Sequence, residues 1–247
     1  CMPQIEADLI STIRSFSRAG DLTNLTFLAH AERVAHISFH LGEKLGLDDS
    51  ALNELTQSAL LHDIGVMTDA EQLELADLGY KLLKSTTLFG SLADNILEHH
   101  DFYSPQLRMI PAIIHLADRI DILLNKERYI LWQLDDLMDY FFSKAGFVFS
   151  PDVVDALHAL SSVPSFWLDL ENNNYRFSSE DNHSSKTLTL DELEELAWIM
   201  ALLVDSKSSF TMDHSQGVSI VAELMAQKLH FSQKRTRLIK VAALTHD

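Results

Sequence analysis

The chain has almost no cysteine: one residue in 247, at Cys1. That excludes an internal disulfide framework and fits a reducing compartment, so a cytoplasmic protein is expected. Glycine and proline are scarce, at 8 and 5 residues, which suits helices better than a turn-rich β fold. Although 47% of the residues are hydrophobic, no apolar run approaches the roughly 18 residues of a membrane span, and no membrane partner is expected. The opening CMPQIEADLI has no basic region leading into an apolar stretch, so no export signal is expected. Basic residues are few, 19 against 36 acidic, for a net charge of −17. Broad binding to a nucleic-acid polymer needs basic patches and is excluded on that ground. A small anionic substrate is not excluded, because bound cations would supply positive charge locally.

What is present is helical periodicity. Ile5, Leu9, Ile10, Ile13 and Phe16 predict an amphipathic helix over 5–18. Leu25, Leu28, Val34, Ile37, Leu41 and Leu45 predict a second over 25–46, stopped at Gly46, with Asp48 capping a third over 49–62. Further helices are expected over 70–84, 88–100, from a Pro105–Pro111 loop to about 142, over 151–162, and from Leu190 onward. No stretch of four or more residues alternates as a strand, so the expected class is all-α. The polar, Asn/Ser-rich stretch 171–187 reads as an irregular linker. The acidic run 191–195 reads as a solvated helix N-terminus. Trp132, Tyr129 and the Phe141–Phe142 pair read as core.

An internal repeat divides the chain. Residues 214–247 align without a gap on 30–63, with His214 and His246 spaced 32 apart like His30 and His62. Three parts are expected: a helical domain over 1–170, a linker over 171–187, and the opening helices of a second copy over 188–247.

The candidate chemistry lies in His-Asp text on apolar helices: His30, then His62-Asp63 closed by Gly65, then His99-His100, then His115-Leu116-Ala117-Asp118. A buried metal site in a helical bundle needs imidazoles and carboxylates placed in this way. Any one of these histidines alone reads as a core or surface imidazole; the ordered set does not. His36, His40, His158 and His183 match no motif and read as structural or exposed.

HAERVAHISFHLGEKLGLDDSALNELTQSALLHDIG (30–65), ILEHHD (96–101) and IIHLADRIDIL (113–123) resemble the HD superfamily of metal-dependent phosphohydrolases, HD-GYP branch, and the likeness runs to about residue 160. The resemblance implies a helical HD bundle, followed here by the opening of a second HD copy. It implies a divalent metal such as iron or manganese held by His30, His62, Asp63 and Asp118, with Asp63 the bridging and catalytic carboxylate. His99 and His100 match ligands of a second ion. It also implies phosphoester hydrolysis, with a small nucleotide or cyclic dinucleotide, usually cyclic di-GMP, as the substrate. The family's lysine after the pair is Val66 here, an expected histidine aligns with Leu75, and the GYP signature is replaced by Asp101-Phe102-Tyr103-Ser104-Pro105. These departures favour one ion over two and predict weakened hydrolysis by the first domain. The alternative is an inactive HD module with a regulatory or dimerising role, for which a homodimer is the natural partner state.

Overall fold

A computed structural model describes residues 5–21, 29–67, 72–177, 185–205 and 214–246. The architecture is all-α. In chain order, strand β1 (Ile5–Asp8) leads into α1 (Leu9–Asp21), α2 (His30–Lys44), α3 (Asp49–Leu61), α4 (Gln72–Lys84), α5 (Ala93–Glu98) and α6 (Met109–Leu123). After these come α7 (Leu134–Lys144), α8 (Pro151–Ser161), α9 (Pro164–Glu171), strand β2 (Ser185–Leu188), α10 (Leu190–Asp205), α11 (His214–Lys228) and α12 (Gln233–Leu244). Residues 25–28 of the second expected helix, 178–184 of the polar stretch, His183 and Asp247 lie outside the described residues.

Helix α2 is the hub, buried from His30 to Phe39 and again at Leu41 and Gly42. It packs on α3, α6, α8 and α9. Its last turn closes on Gly46 at φ 74°, where Leu47 N–H donates to Gly42 O at 3.0 Å and Gly46 N–H to Glu43 O at 3.1 Å. A side chain would be strained at that φ, so glycine stands there. Asp48 then caps α3 by accepting from Ala51 N–H at 2.9 Å. At Gly42 a Cβ would meet Leu52 and Leu55 at 2.8 Å, so its absence sets how closely α2 and α3 approach. The two helices form an antiparallel hairpin, and the start of α2 therefore lies beside the end of α3.

Several expectations are corrected. Residues Ile5–Asp8 are not the start of a helix; they pair antiparallel with Ser185–Leu188, in the register Ile5 opposite Leu188. The irregular linker thus ends in a strand at Ser185. Pro111 does not border a loop but sits in the first turn of α6, where its missing N–H has no helical partner to lose. Helix α9 was not expected; Pro164 opens it, and it buries Phe166, Trp167 and Leu170, with Trp167 Nε1–H donating to Leu160 O at 3.1 Å. Trp132, Tyr129 and Phe142 are exposed, and only Phe141 of that aromatic set joins the core.

Helix α10 faces two ways. Leu196 and Ile199 enter the large core, while Ala197 and Ala201 pack with Leu244 of α12. Its acidic start is engaged rather than merely solvated: Glu195 accepts from Thr87 N–H and Oγ1–H, and Asp191 and Glu194 pair with Arg237.

His36 is fully buried in α2, stacked on Phe166 at 5.4 Å, and its Nδ1 accepts from Arg176 N–H at 2.9 Å. Burial pushes it down to about 4, with Asp169 pulling the other way. An unfolded imidazole takes its proton near pH 6.5, so the unfolded chain binds more protons between about pH 6.5 and 4 and stability falls as pH drops through that window. The full effect of this shift is about 3 kcal/mol. Denaturant melts from pH 7 to 4 should show a shallower loss of stability for His36→Phe than for the parent; equal slopes would contradict the assignment.

Candidate metal centre

The α2–α3 hairpin delivers the first candidate ligands. His30 opens α2 and His62 caps the C-terminus of α3, so residues 32 apart in sequence have ring centroids 5.2 Å apart. Asp63 follows at the turn into Ile64–Met67. His99 caps the short α5, and its ring lies 5.4 Å from His62 and 3.9 Å from His100. Asp118 comes from α6, which crosses α2.

All six residues expected from the sequence converge. His30 Nε2 lies 3.3 Å from Asp118 Oδ1 and 3.6 Å from Asp63 Oδ2; His62 Nε2 lies 3.4 Å from Asp63 Oδ2 and 4.0 Å from Asp118 Oδ1. They form two triplets, His30–His62–Asp118 and Asp63–His99–His100, each with ligand atoms mutually within 4.8 Å. His30, His62, Asp118 and His99 are buried, whereas Asp63 is 32% exposed by side chain and His100 is open to solvent. The second triplet therefore forms the open side. Asp63 belongs to the second triplet and touches the first, as a bridging carboxylate must.

The imidazoles are oriented for ligation. His62 Nδ1 donates to Ala59 O at 2.8 Å and His99 Nδ1 to Ile96 O at 2.6 Å. The hydrogen bond at Nδ1 fixes the tautomer and turns a lone pair outward at Nε2. Both Nε2 atoms are buried and have no hydrogen-bond partner. Buried orphan nitrogens are costly unless something binds them. Histidine and carboxylate donors in this number fit a divalent ion of the iron, manganese or zinc kind.

His30 Nδ1 is held at 2.6 Å by Asp121 Oδ2, and Arg33 clasps the same carboxylate through Nε and, at 3.0 Å, Nη2. Neither Asp121 nor Arg33 was among the candidates from sequence. The signal was there: Asp121 lies three residues after Asp118 and Arg33 three after His30, each one turn along the same helix face. Burial works to lower the His30 pKa, but Asp118, Asp121 and Asp63 outweigh it and raise it to about 10. Burial would raise Asp121, yet His30 and Arg33 hold it down at about 2, and Asp118 is likewise kept below the usual carboxylate range. Burial and the neighbouring His62 and His100 push His99 down to about 3, which favours its neutral form. The pocket thus favours the protonated form of His30 beside Asp118 and the neutral forms of His99 and His100.

The other histidines fall elsewhere. His36 and His40 lie further along α2 against Phe166, and His158 is exposed against Phe142. The side chains of Val66 and Leu75 lie outside the described residues.

Residues 27–126 match the family model of the HD domain. The 3'3'-cGAMP-specific phosphodiesterase 1 of Vibrio cholerae serotype O1 is 24% identical over 94% of this chain and 61% of its own length. Cyclic di-GMP phosphodiesterase response regulator RpfG of Xanthomonas campestris pv. campestris is 25% identical over 63% of this chain and 49% of its own length. The chain thus spans only 61% and 49% of the curated relatives it matches. A crystal structure of cyclic GMP-AMP specific phosphodiesterases from V. cholerae shares the fold, with a TM-score of 0.72 at 20% identity over 99% of this chain and 71% of that one.

If Asp121 fixes His30 for ligation, Asp121→Asn should lower manganese affinity by about 10–100-fold while the helical signal persists. Calorimetric titration of the metal-stripped chain measures this; unchanged affinity would remove Asp121 from the centre.

Proposed function

We propose, from the premise that the chain carries an HD domain over residues 27–126, that it is a metal-dependent phosphohydrolase-type protein of cyclic-dinucleotide signalling. The observation that carries this reading is the convergence of His30, His62 and Asp118 with Asp63, His99 and His100 as adjacent triplets. His30, His62, Asp63 and Asp118 would hold the first divalent ion. Asp63, His99 and His100 offer a second, more open position. Bound there, a divalent ion lowers the pKa of water and screens the charge of a phosphoester.

The chain's own residues do the rest. Asp121 and the carbonyls of Ala59 and Ile96 fix the imidazoles, so the donor set needs little reorganisation on binding. Asp63 is partly exposed and lies between the triplets, where its carboxylate could bridge the two positions and orient an attacking water. The relatives act, by name, on 3'3'-cGAMP and cyclic di-GMP, which supports a cyclic dinucleotide here. Val66 for lysine, Leu75 for histidine and the lost GYP signature support weak turnover and one ion over two. A regulatory HD module is the second reading, favoured by the same three losses.

We also assign 188–247 to the opening of a second HD copy. The α11–α12 hairpin repeats the α2–α3 turn position for position: His230 has φ 57°, Phe231 N–H donates to Ala226 O at 3.0 Å, and Ser232 caps α12. His214 and His246 have centroids 5.2 Å apart, and His246 Nδ1 donates to Ala243 O at 2.8 Å, as His62 does to Ala59. Ile37 and Leu41, buried in α2, correspond to Val221 and Met225, exposed on α11. That exposed face is the one that the corresponding helix α2 buries in the core. No described helix is long and apolar enough to cross a membrane.

The test is turnover of cyclic di-GMP and 3'3'-cGAMP by the manganese- or iron-loaded chain. Typical enzymes turn over about 10 times per second, and losing one preorganised charge stabiliser costs about 10²–10³. We expect at most about 0.1 per second, abolished in His62→Ala. Turnover near one per second would show the losses are compensated; no metal uptake at all would end the phosphohydrolase reading.

A further inference from the structure

The segment where the GYP signature would stand is neither loose nor featureless. Asp101 O accepts from His115 Nδ1 at 3.1 Å, which ties the segment to α6. Tyr103 N–H donates to Val148 O at 3.0 Å, which ties it to the turn between α7 and α8. Between these anchors Phe102 is 70% exposed, its ring parallel to that of His115 within 4° at a centroid distance of 6.5 Å. His115 itself is buried and lies 6.4 Å, ring to ring, from His100 of the open triplet. One aromatic face therefore stands beside the candidate centre, backed by a fixed imidazole.

One turn beyond His115 on the same face of α6 is Arg119. Its side chain is 39% exposed, and its Nε lies 3.7 Å from Asp118 Oδ2, too far for a hydrogen bond. A partly exposed guanidinium next to a buried candidate-ligand carboxylate is suited to an oxyanion. Charge and ring thus both lie beside His115, which in turn lies 6.4 Å from His100 of the open triplet. A ligand with a phosphate at the metal and a flat heterocycle attached to it matches both.

We propose that Phe102 and Arg119 form a nucleotide-recognition wall of this centre, Phe102 stacking a nucleobase and Arg119 binding a phosphate oxygen. The inference rests on the phosphodiester reading of the centre and adds the residues that would choose its substrate. Arg119 would then supply the phosphate-directed charge that Val66 does not. Phe102 would occupy with an aromatic surface the place of the missing signature. An exposed phenylalanine is common on protein surfaces, so base dependence is the property that tells the two roles apart.

The test measures equilibrium binding of two probes to the manganese-loaded full chain: cyclic di-GMP, which carries bases, and inorganic phosphate, which carries none. Phe102→Ala should weaken cyclic di-GMP about 10–100-fold and leave phosphate binding and metal content unchanged, while Phe102→Trp retains the dinucleotide. Arg119→Gln should weaken both probes about tenfold or more, with partial recovery in Arg119→Lys. Equal cyclic di-GMP binding by Phe102→Ala and the parent would overturn the wall and leave the metal centre standing. Parent protein that binds phosphate but no dinucleotide would do the same. A parent that retains no metal and binds neither probe would overturn both readings together.

Discussion

A carboxylate buried in an apolar helical core stays ionised only when cations surround it, and Asp121 has His30 on one oxygen, Arg33 across both, and Lys126 at 3.9 Å. Taking such charges out of water costs several kcal/mol each, so removing a single partner from a buried pair commonly costs about 3–5 kcal/mol. The clasp joins α2 to α6, the two helices that carry His30 and Asp118. It therefore does two things with one set of bonds. It locks the crossing of the hub helix, and it turns the His30 ring so that Nε2 faces Asp118 and Asp63. The rest of the centre depends on that crossing being fixed.

The second device is the hairpin. Placing one ligand at the start of α2 and the next at the end of α3 works because the intervening turn reverses the chain. Gly46 and Asp48 make that reversal cheap. The same turn recurs in α11–α12 with His230 and Ser232 in those places, and α10 ends at Asp205 in the register in which α1 ends at Asp21. The copies differ where Arg33 corresponds to Gly217. The repeat keeps the paired imidazoles of the hairpin and has glycine where Arg33 holds Asp121.

The candidate ligand set was legible in the sequence because metal chemistry restricts residue type, and helix ends restrict the positions of His30, His62 and His99. His30, His62, Asp63, His99, His100 and Asp118 were all read before the fold, and all converge. Asp121 and Arg33 escaped because a supporting carboxylate looks like any surface acid until its burial is known. The β1–β2 pair escaped for a different reason: four-residue strands are too short to show alternation, and their partners are remote in the chain. Helix α9 was hidden by its length of 8 residues. Trp132, Tyr129 and Phe142 read as core on hydrophobicity alone, whereas only Phe141 of that set is buried, against Phe149.

The central claim is that these helix ends make one metal centre of histidine and carboxylate ligands. X-ray absorption at the metal edge of the iron- or manganese-loaded chain tests it most directly. The account predicts a nitrogen and oxygen shell at about 2.0–2.2 Å with outer-shell scattering from at least two imidazoles, reduced in His62→Ala. A shell of oxygen alone, unchanged by that substitution, would place the metal on the acidic surface and contradict the account.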